Sequence, residues 1–180
     1  MIAVILGGGE GKRLKKIFRK PKFLIEVEGK TLIDRQIKQI EKTKKIKKIF
    51  LSINEQNFEN ENEFNLIKKK ITPLIENKKL GTAGCLSLLK KYKFNDVLVI
   101  FGDLLLDFDF KKLLKFHKKK NSNFTAVVHP NNHPIDSDMV EIKNEKIVKF
   151  HKKPHRTLPL IKNRCLSGIF VLNKKILKMI

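Results

Sequence analysis

The chain is expected to fold as an α/β protein built on a mostly parallel, mixed sheet with helices on both faces. Three observations point there. Apolar runs of strand length, Ile2–Leu6, Lys48–Ile53 and Val97–Phe101, are nearly continuous, which marks strands buried on both faces. Between them lie stretches with apolar residues at helical spacing, so strands and helices alternate. Two of the runs stop at glycine, at Gly7-Gly8-Gly9-Glu10-Gly11 and at Gly102-Asp103. In such sheets ligands sit beyond the carboxyl ends of the strands, so these two loops are expected to share one crevice.

Ile2–Leu6 reads as the first and central strand, and Phe23–Val27 as a short extended piece closed by Glu28-Gly29. Thr31 is placed to cap a helix, with Asp34 three residues on as in a capping box, and Ile33, Ile37 and Ile40 form its apolar face. Lys48–Ile53 is the second buried strand. Phe64, Ile67 and Ile71 are spaced for a helix after a loop rich in Asn and Glu. Thr72–Glu76 is a short strand, and its Pro73 suits an edge or an end. Gly81–Gly84 opens a further helix through Leu86, Leu89 and Tyr92. Val97–Phe101 is the strongest strand. Phe110, Leu113, Leu114 and His117 mark a helix capped by Asp107 or Asp109. Phe124–Val128 is another strand. Val140–Ile142 and Ile147–Phe150 flank Lys143–Lys146 as a hairpin, the antiparallel element. Ile169–Leu172 is the last strand, and Lys174–Ile180 begins a helix.

A chain of 180 residues, 41% of them hydrophobic, is long enough for one domain with its own core. Cys85 and Cys165 lie far apart in apolar settings without ligand spacing, so two reduced, buried thiols are expected. The first apolar run is five residues long and follows no basic segment, and no run approaches a membrane span. No membrane partner and a cytoplasmic location are therefore expected. The net charge of +22 raises the question of nucleic acid. The excess is mostly Lys, a point charge without bidentate readout, and it is spread along the chain. One Tyr and no Trp leave few stacking platforms, although Phe is plentiful. A general lysine bias accounts for this pattern better than specific nucleic-acid binding.

The glycine loop lets backbone N–H groups converge, and the adjoining Lys12 and Arg13 suit a polyphosphate. It is not a P-loop: five residues before Gly11-Lys12 stands Leu6 rather than Gly, and Arg13 follows where Ser or Thr is required. It is not the dinucleotide fingerprint either, because Leu14 occupies the third glycine position.

A third pattern fits. Gly8-Gly9-Glu10-Gly11-Lys12-Arg13-Leu14, followed by Pro21-Lys22-Phe23-Leu24 and Val27-Glu28-Gly29-Lys30, resembles the signature of the sugar-1-phosphate nucleotidyltransferases. Further pieces arrive in that family's order: Glu76 before Leu80-Gly81-Thr82-Ala83-Gly84, then Gly102-Asp103, Lys152-Lys153-Pro154 and Ser167-Gly168-Ile169-Phe170-Val171. The segment His129–Asp138 resembles a subgroup that activates heptose or mannose 1-phosphate with GTP and is often fused to a haloacid dehalogenase-type phosphatase. The resemblance implies a Rossmann-like three-layer sandwich of the nucleotide-diphospho-sugar transferase type, with residues 1–180 forming the N-terminal part of the usual catalytic domain. Family members continue further, and a second Mg²⁺ carboxylate comes from that later part, so three expectations stay open: a missing C-terminal segment or phosphatase domain, a separate partner chain that completes the site, or a metal held more weakly.

The implied reaction is attack by a sugar 1-phosphate on the α-phosphorus of an NTP, with release of pyrophosphate. Its catalysis is positioning and charge stabilisation. By resemblance Arg13 holds the departing phosphates and Lys22 the α-phosphate, while Leu6, Gly8, Gly9, Gly11, Glu76, Gly81 and Thr82 bind the nucleotide. Lys153 and Gly168 hold the sugar phosphate, and Asp103 ligates Mg²⁺, the implied cofactor. Glu76 adds a preference. A carboxylate is acceptor-only, and guanine offers it two adjacent donors, whereas uracil and thymine place one donor between two acceptors. GTP is therefore the expected nucleotide. Two rivals stay open: a nucleotide- or sugar-phosphate-binding remnant without turnover, and a basic nucleic-acid-binding protein.

Overall fold

The computed structural model describes residues 1–9, 11, 17–18, 20–55, 70–78, 80–155 and 162–180. The chain opens with β1 (Ile2–Leu6), then reaches a 3-10 turn over Lys22–Leu24 and a two-stranded ribbon, β2 (Glu26–Val27) and β3 (Lys30–Thr31). The extended piece expected over Phe23–Val27 thus holds only at its end. Pro21 leads into a turn in which the Leu24 N–H donates to the Pro21 carbonyl, and this drives Phe23 into the core at 2% exposure.

Helix α1 (Leu32–Glu41) starts as its sequence dictates. The Thr31 side chain accepts from the Asp34 N–H at 3.2 Å. The return bond of the capping box differs: Asp34 Oδ2 accepts from the Thr31 hydroxyl, at 2.6 Å, rather than from the backbone N–H. Ile33, Ile37 and Ile40 are buried as expected. The strands β4 (Ile49–Asn54) and β5 (Thr72–Glu76) follow, the second carrying Pro73 at the sheet edge, where a missing N–H costs no ladder bond. The helix expected at Phe64–Ile71 falls largely outside the described residues.

From Gly81 the chain makes one α-helical turn, Gly81–Gly84, and then a 3-10 helix over Cys85–Lys91 instead of the longer α-helix expected. Leu86 and Leu89 are three apart, and the 3-10 repeat stacks residues at that spacing on one side; both are buried. Next come β6 (Asp96–Phe101), α2 (Phe110–Lys120) and β7 (Phe124–His129). Asp109 is the cap of α2, its carboxylate accepting from the Lys112 N–H. The chain continues through β8 (Met139–Lys143), β9 (Lys146–His151) and β10 (Cys165–Asn173) to a final 3-10 turn, Lys174–Met179. Among the described residues no helix is long and apolar enough to cross a membrane.

Two compact units result: Met1–Thr125 with Phe170–Ile180, and Ala126–Ile169. In the first, the strand order is β5-β4-β1-β6-β10, with β1 parallel to both neighbours and β5 parallel to β4. One face of this sheet, including Val4, Phe50, Leu74, Val97, Val99 and Leu172, packs with Leu86, Leu89 and Leu177. Residues alternating with these, Ala3, Ile5, Leu51, Ile53, Leu98 and Ile100, are fully buried too. In the second unit β8 and β9 form the expected hairpin, turned by Asn144 and Glu145 at φ 48° and 61°, the consecutive positive values of a tight two-residue turn. Met139 pairs antiparallel with Cys165 at the start of β10.

Candidate active site

The strand order fixes where a ligand site belongs. From β1 the chain steps outward to β4 and β5, then returns to the other side of β1 for β6. The loops that leave β1 and β6 therefore diverge, which opens a crevice at the carboxyl ends of the strands. A cavity of about 360 Å³ lies there, lined by Leu6, Gly7, Gly8, Gly9, Lys22, Phe23, Glu76, Gly81, Thr82, Cys85, Phe101, Gly102 and Asp103.

Its floor depends on close approach. The Gly102 N–H donates to the Leu6 carbonyl at 2.9 Å, which ties the end of β6 to the end of β1. A Cβ on Gly102 would stand 2.9 Å from that same carbonyl oxygen, and a backbone atom cannot yield. At Gly8 a Cβ would meet Glu76 Oε1 at 3.0 Å and Asn54 Oδ1 at 3.1 Å. The glycine loop thus lies directly against the end of β5. Asn54 anchors it, Nδ2 donating to the Gly8 carbonyl at 2.7 Å.

Lys22 reaches the crevice from its 3-10 turn, which the buried Phe23 pins. Lys22 Nζ stands 3.1 Å from Asp103 Oδ2, with both side chains partly exposed. Such a pair is worth about 0–1 kcal/mol in water, so a ligand phosphate or a metal ion displaces it at small cost. Glu76 is the opposite case: it is 6% exposed, and its Oε1 accepts from the Ser52 hydroxyl at 2.5 Å. Its Oε2 faces the Leu80 N–H at 3.4 Å. Ser52 is fully buried, so the carboxylate is held by a donor that water does not reach.

Cys85 sits beside this pair and donates its thiol proton to the Thr82 carbonyl at 3.2 Å. Burial pushes the thiol from 9.0 up to about 11; the Ser52 hydrogen bond opposes this and the Glu76 charge adds to it. The folded chain therefore keeps a proton that an unfolded chain loses, and the stability this group contributes falls as pH rises from about 9 to about 11. Iodoacetamide at pH 8 is expected to label Cys85 only when the chain unfolds. Rapid labelling of its peptide in native protein, read by mass spectrometry, would contradict the burial described.

The structure brings Leu6, Gly8, Gly9, Lys22, Glu76, Gly81, Thr82 and Asp103 of the sequence-derived set to one cavity. Gly11, at φ 58°, lies beside the Lys22 side chain, 3.6 Å from where its Cβ would be. Arg13 lies outside the described residues. Lys153 and Gly168 belong to the second unit. There the Lys153 N–H donates to Asp138 Oδ1 at 3.0 Å, and Gly168 is buried at φ 81°. The His129–Asp138 loop is bonded largely to its own surroundings, with Asn131 Nδ2 on Ser137 at 2.7 Å and His155 Nε2 against the Ser137 carbonyl at 2.9 Å. Among the described residues no three His, Cys, Asp or Glu side chains gather as metal ligands. A lone carboxylate such as Asp103 still suits Mg²⁺, which takes one or two carboxylates together with phosphates and water.

Phe23, Cys85 and Phe101 also line the cavity, although the sequence alone assigned them no role in the site. Each adjoins a motif residue, and that adjacency was the available signal. Ser52 gave a fainter one, as the sole hydroxyl within an apolar strand.

A parallel α/β sheet whose switch-point crevice joins a glycine loop, a lysine and a half-exposed aspartate has the build of a protein that binds phosphate esters. More specifically, the chain belongs to the nucleotidyl transferase family, whose model matches residues 2–180. It is 31% identical to a mannose-1-phosphate guanyltransferase of Yarrowia lipolytica, over 100% of this chain and 51% of the relative. It is 30% identical to a Sulfolobus acidocaldarius protein provisionally assigned the same activity, over 99% of this chain and 50% of the relative. The chain thus spans about half the length of these curated relatives. A solved Bacillus anthracis structure, provisionally assigned as a glucose-1-phosphate thymidylyltransferase, superposes with a TM-score of 0.86 at 20% identity, covering 99% of this chain and 73% of the other. At that identity the likeness speaks for the fold.

Proposed function

We propose that this chain carries the nucleotide-binding half of a sugar-1-phosphate guanylyltransferase reaction: GTP and a sugar 1-phosphate give a GDP-sugar and pyrophosphate. A phosphate oxygen of the sugar 1-phosphate attacks the α-phosphorus of GTP. The bond from that phosphorus to the oxygen bridging it to the β-phosphorus breaks, and both electrons leave with pyrophosphate. The observation that carries this reading is the single cavity joining Gly8, Gly9, Lys22, Glu76 and Asp103 at the switch point.

Each residue then has a task set by its chemistry. The backbone of Gly8 and Gly9 lies along the nucleotide, with no side chain to hold it off. Lys22 donates to the α-phosphate, exchanging Asp103 for it. Glu76, fixed by Ser52, accepts the two guanine donors. Arg13 draws off the departing pyrophosphate, and Lys153 with Gly168 holds the sugar phosphate; these three assignments rest on the motif match. Asp103 would hold Mg²⁺, whose contribution is to neutralise phosphate charge. The relatives' activity makes mannose 1-phosphate the first sugar to test.

The experiment is pyrophosphate release with GTP, Mg²⁺ and mannose 1-phosphate, compared with UTP and dTTP and with Arg13→Ala. Release that favours GTP and is lost in Arg13→Ala supports the reading. GTP binding without release shows a binding protein instead. Binding to nucleic acid that falls steeply with salt and survives Arg13→Ala shows a basic nucleic-acid-binding protein.

A further inference from the structure

Gln36 is fully buried on α1 and does not line the cavity. Its Nε2 stands 3.1 Å from the Phe101 carbonyl and 2.8 Å from the Leu104 carbonyl. These two carbonyls bracket Gly102-Asp103. The turn between them is weakly closed by its own backbone, because the Leu104 N–H lies 3.4 Å from the Phe101 carbonyl. The amide spans what the backbone leaves loose and spends both of its N–H groups there. Its orientation is settled by chemistry, since exchanging oxygen and nitrogen would set an acceptor against two acceptors. Oε1 is then left buried and, among the described residues, without a hydrogen-bond partner. An apolar residue would have filled this site without an orphan oxygen, so general packing does not explain a glutamine here. One turn along, Gln39 Nε2 reaches Asp107 Oδ1 at 3.3 Å, a second tie from α1 to the same loop.

We propose that Gln36 is a positioning residue for Asp103: from α1 it clamps the turn that presents this carboxylate to the metal–nucleotide complex. The proposal rests on the reading of Asp103 as a Mg²⁺ ligand. The turn is held from two sides, by the Gly102 N–H on the Leu6 carbonyl and by the Gln36 amide on the carbonyls flanking Asp103. Without Gln36 the tie to β1 survives, and the carboxylate swings about it.

Gln36→Met keeps length and approximate volume and removes both donors, and Gln36→Leu is the second variant. In metal-free, nucleotide-free protein, the Leu104 amide, whose N–H faces the Phe101 carbonyl, is expected to exchange about tenfold faster in Gln36→Met. In turnover, the Mg²⁺ concentration giving half-maximal rate should rise by about tenfold, while KM for GTP at saturating Mg²⁺ stays within about twofold. A change in packing alone would not separate those two constants. Unchanged exchange overturns the clamp. Faster exchange with an unchanged Mg²⁺ requirement overturns its role toward Asp103. Failure of both variants to fold makes Gln36 a core residue and overturns the proposal as well. Wild-type protein that exchanges as described but releases no pyrophosphate overturns the proposed function instead, and the two failures are read separately.

Discussion

Asp103→Asn is expected to lower pyrophosphate release from GTP by about 100-fold or more, on the scale of removing one preorganised charge-stabilising group, with little change in stability. The side chain stands at the mouth of the crevice, and its one described ion pair is with the partly exposed Lys22. Loss of such a pair costs about 0–1 kcal/mol, which for a chain of this size moves Tm by no more than about 2–4 °C. Asparagine is isosteric and leaves the backbone tie from Gly102 to Leu6 untouched. What disappears is the negative oxygen that a hard cation needs. Lys22 also loses its partner and remains available to phosphate, so nucleotide binding without metal should hold or tighten slightly. Turnover within tenfold of wild type across a Mg²⁺ titration, in a variant with native Tm, would remove Asp103 from the metal site and with it the proposed chemistry.

The ends of the central strands were legible in the sequence because a buried parallel strand is a continuous apolar run and glycine ends it abruptly. Leu6 to Gly7 and Phe101 to Gly102 both read this way, and the structure bonds the two ends to each other. The start of α1 was legible because Thr31 and Asp34 satisfy each other locally, without help from the rest of the fold. The stretch Cys85–Lys91 was not: Leu86 and Leu89 at a spacing of three serve α- and 3-10 helices alike, and packing against the sheet decides between them. The supports of the site were hardest to see. Gln36 lies on the same helical face as Ile33, Ile37 and Ile40, so a polar residue in an apolar stripe was its only mark, and its targets stand 65 and 68 residues away. Ser52 likewise looks like strand interior until β4 and β5 are paired in register, which sets Ser52 opposite Leu74 and brings its hydroxyl to Glu76.

Glu76→Gln is expected to reverse the preference among bases. In the wild-type chain Ser52 occupies one lone pair of Oε1, and a carboxylate oxygen has two, so both oxygens retain acceptor capacity toward a base. That arrangement matches the N1–H and N2–H₂ donors of guanine and opposes uracil and thymine, whose acceptors would meet oxygen. The amide keeps the acceptor that Ser52 needs and converts the other position to a donor. A carbonyl beside an NH₂ then complements the N3–H and carbonyl of uracil or thymine. It also turns a donor toward the Leu80 N–H, so that weak tie at 3.4 Å is lost. A bidentate base contact is worth about 1–3 kcal/mol of discrimination. On that scale kcat/KM for GTP should fall by about ten- to a hundredfold, and the ratio of UTP or dTTP to GTP should rise by at least as much. The substitution is isosteric, and the Ser52 bond survives in it. A uniform loss on all three nucleotides would therefore point to damage in the glycine loop, which lies against this side chain at Gly8. A variant that still favours GTP as strongly as wild type would show that the base is read elsewhere and that Glu76 only closes the end of β5.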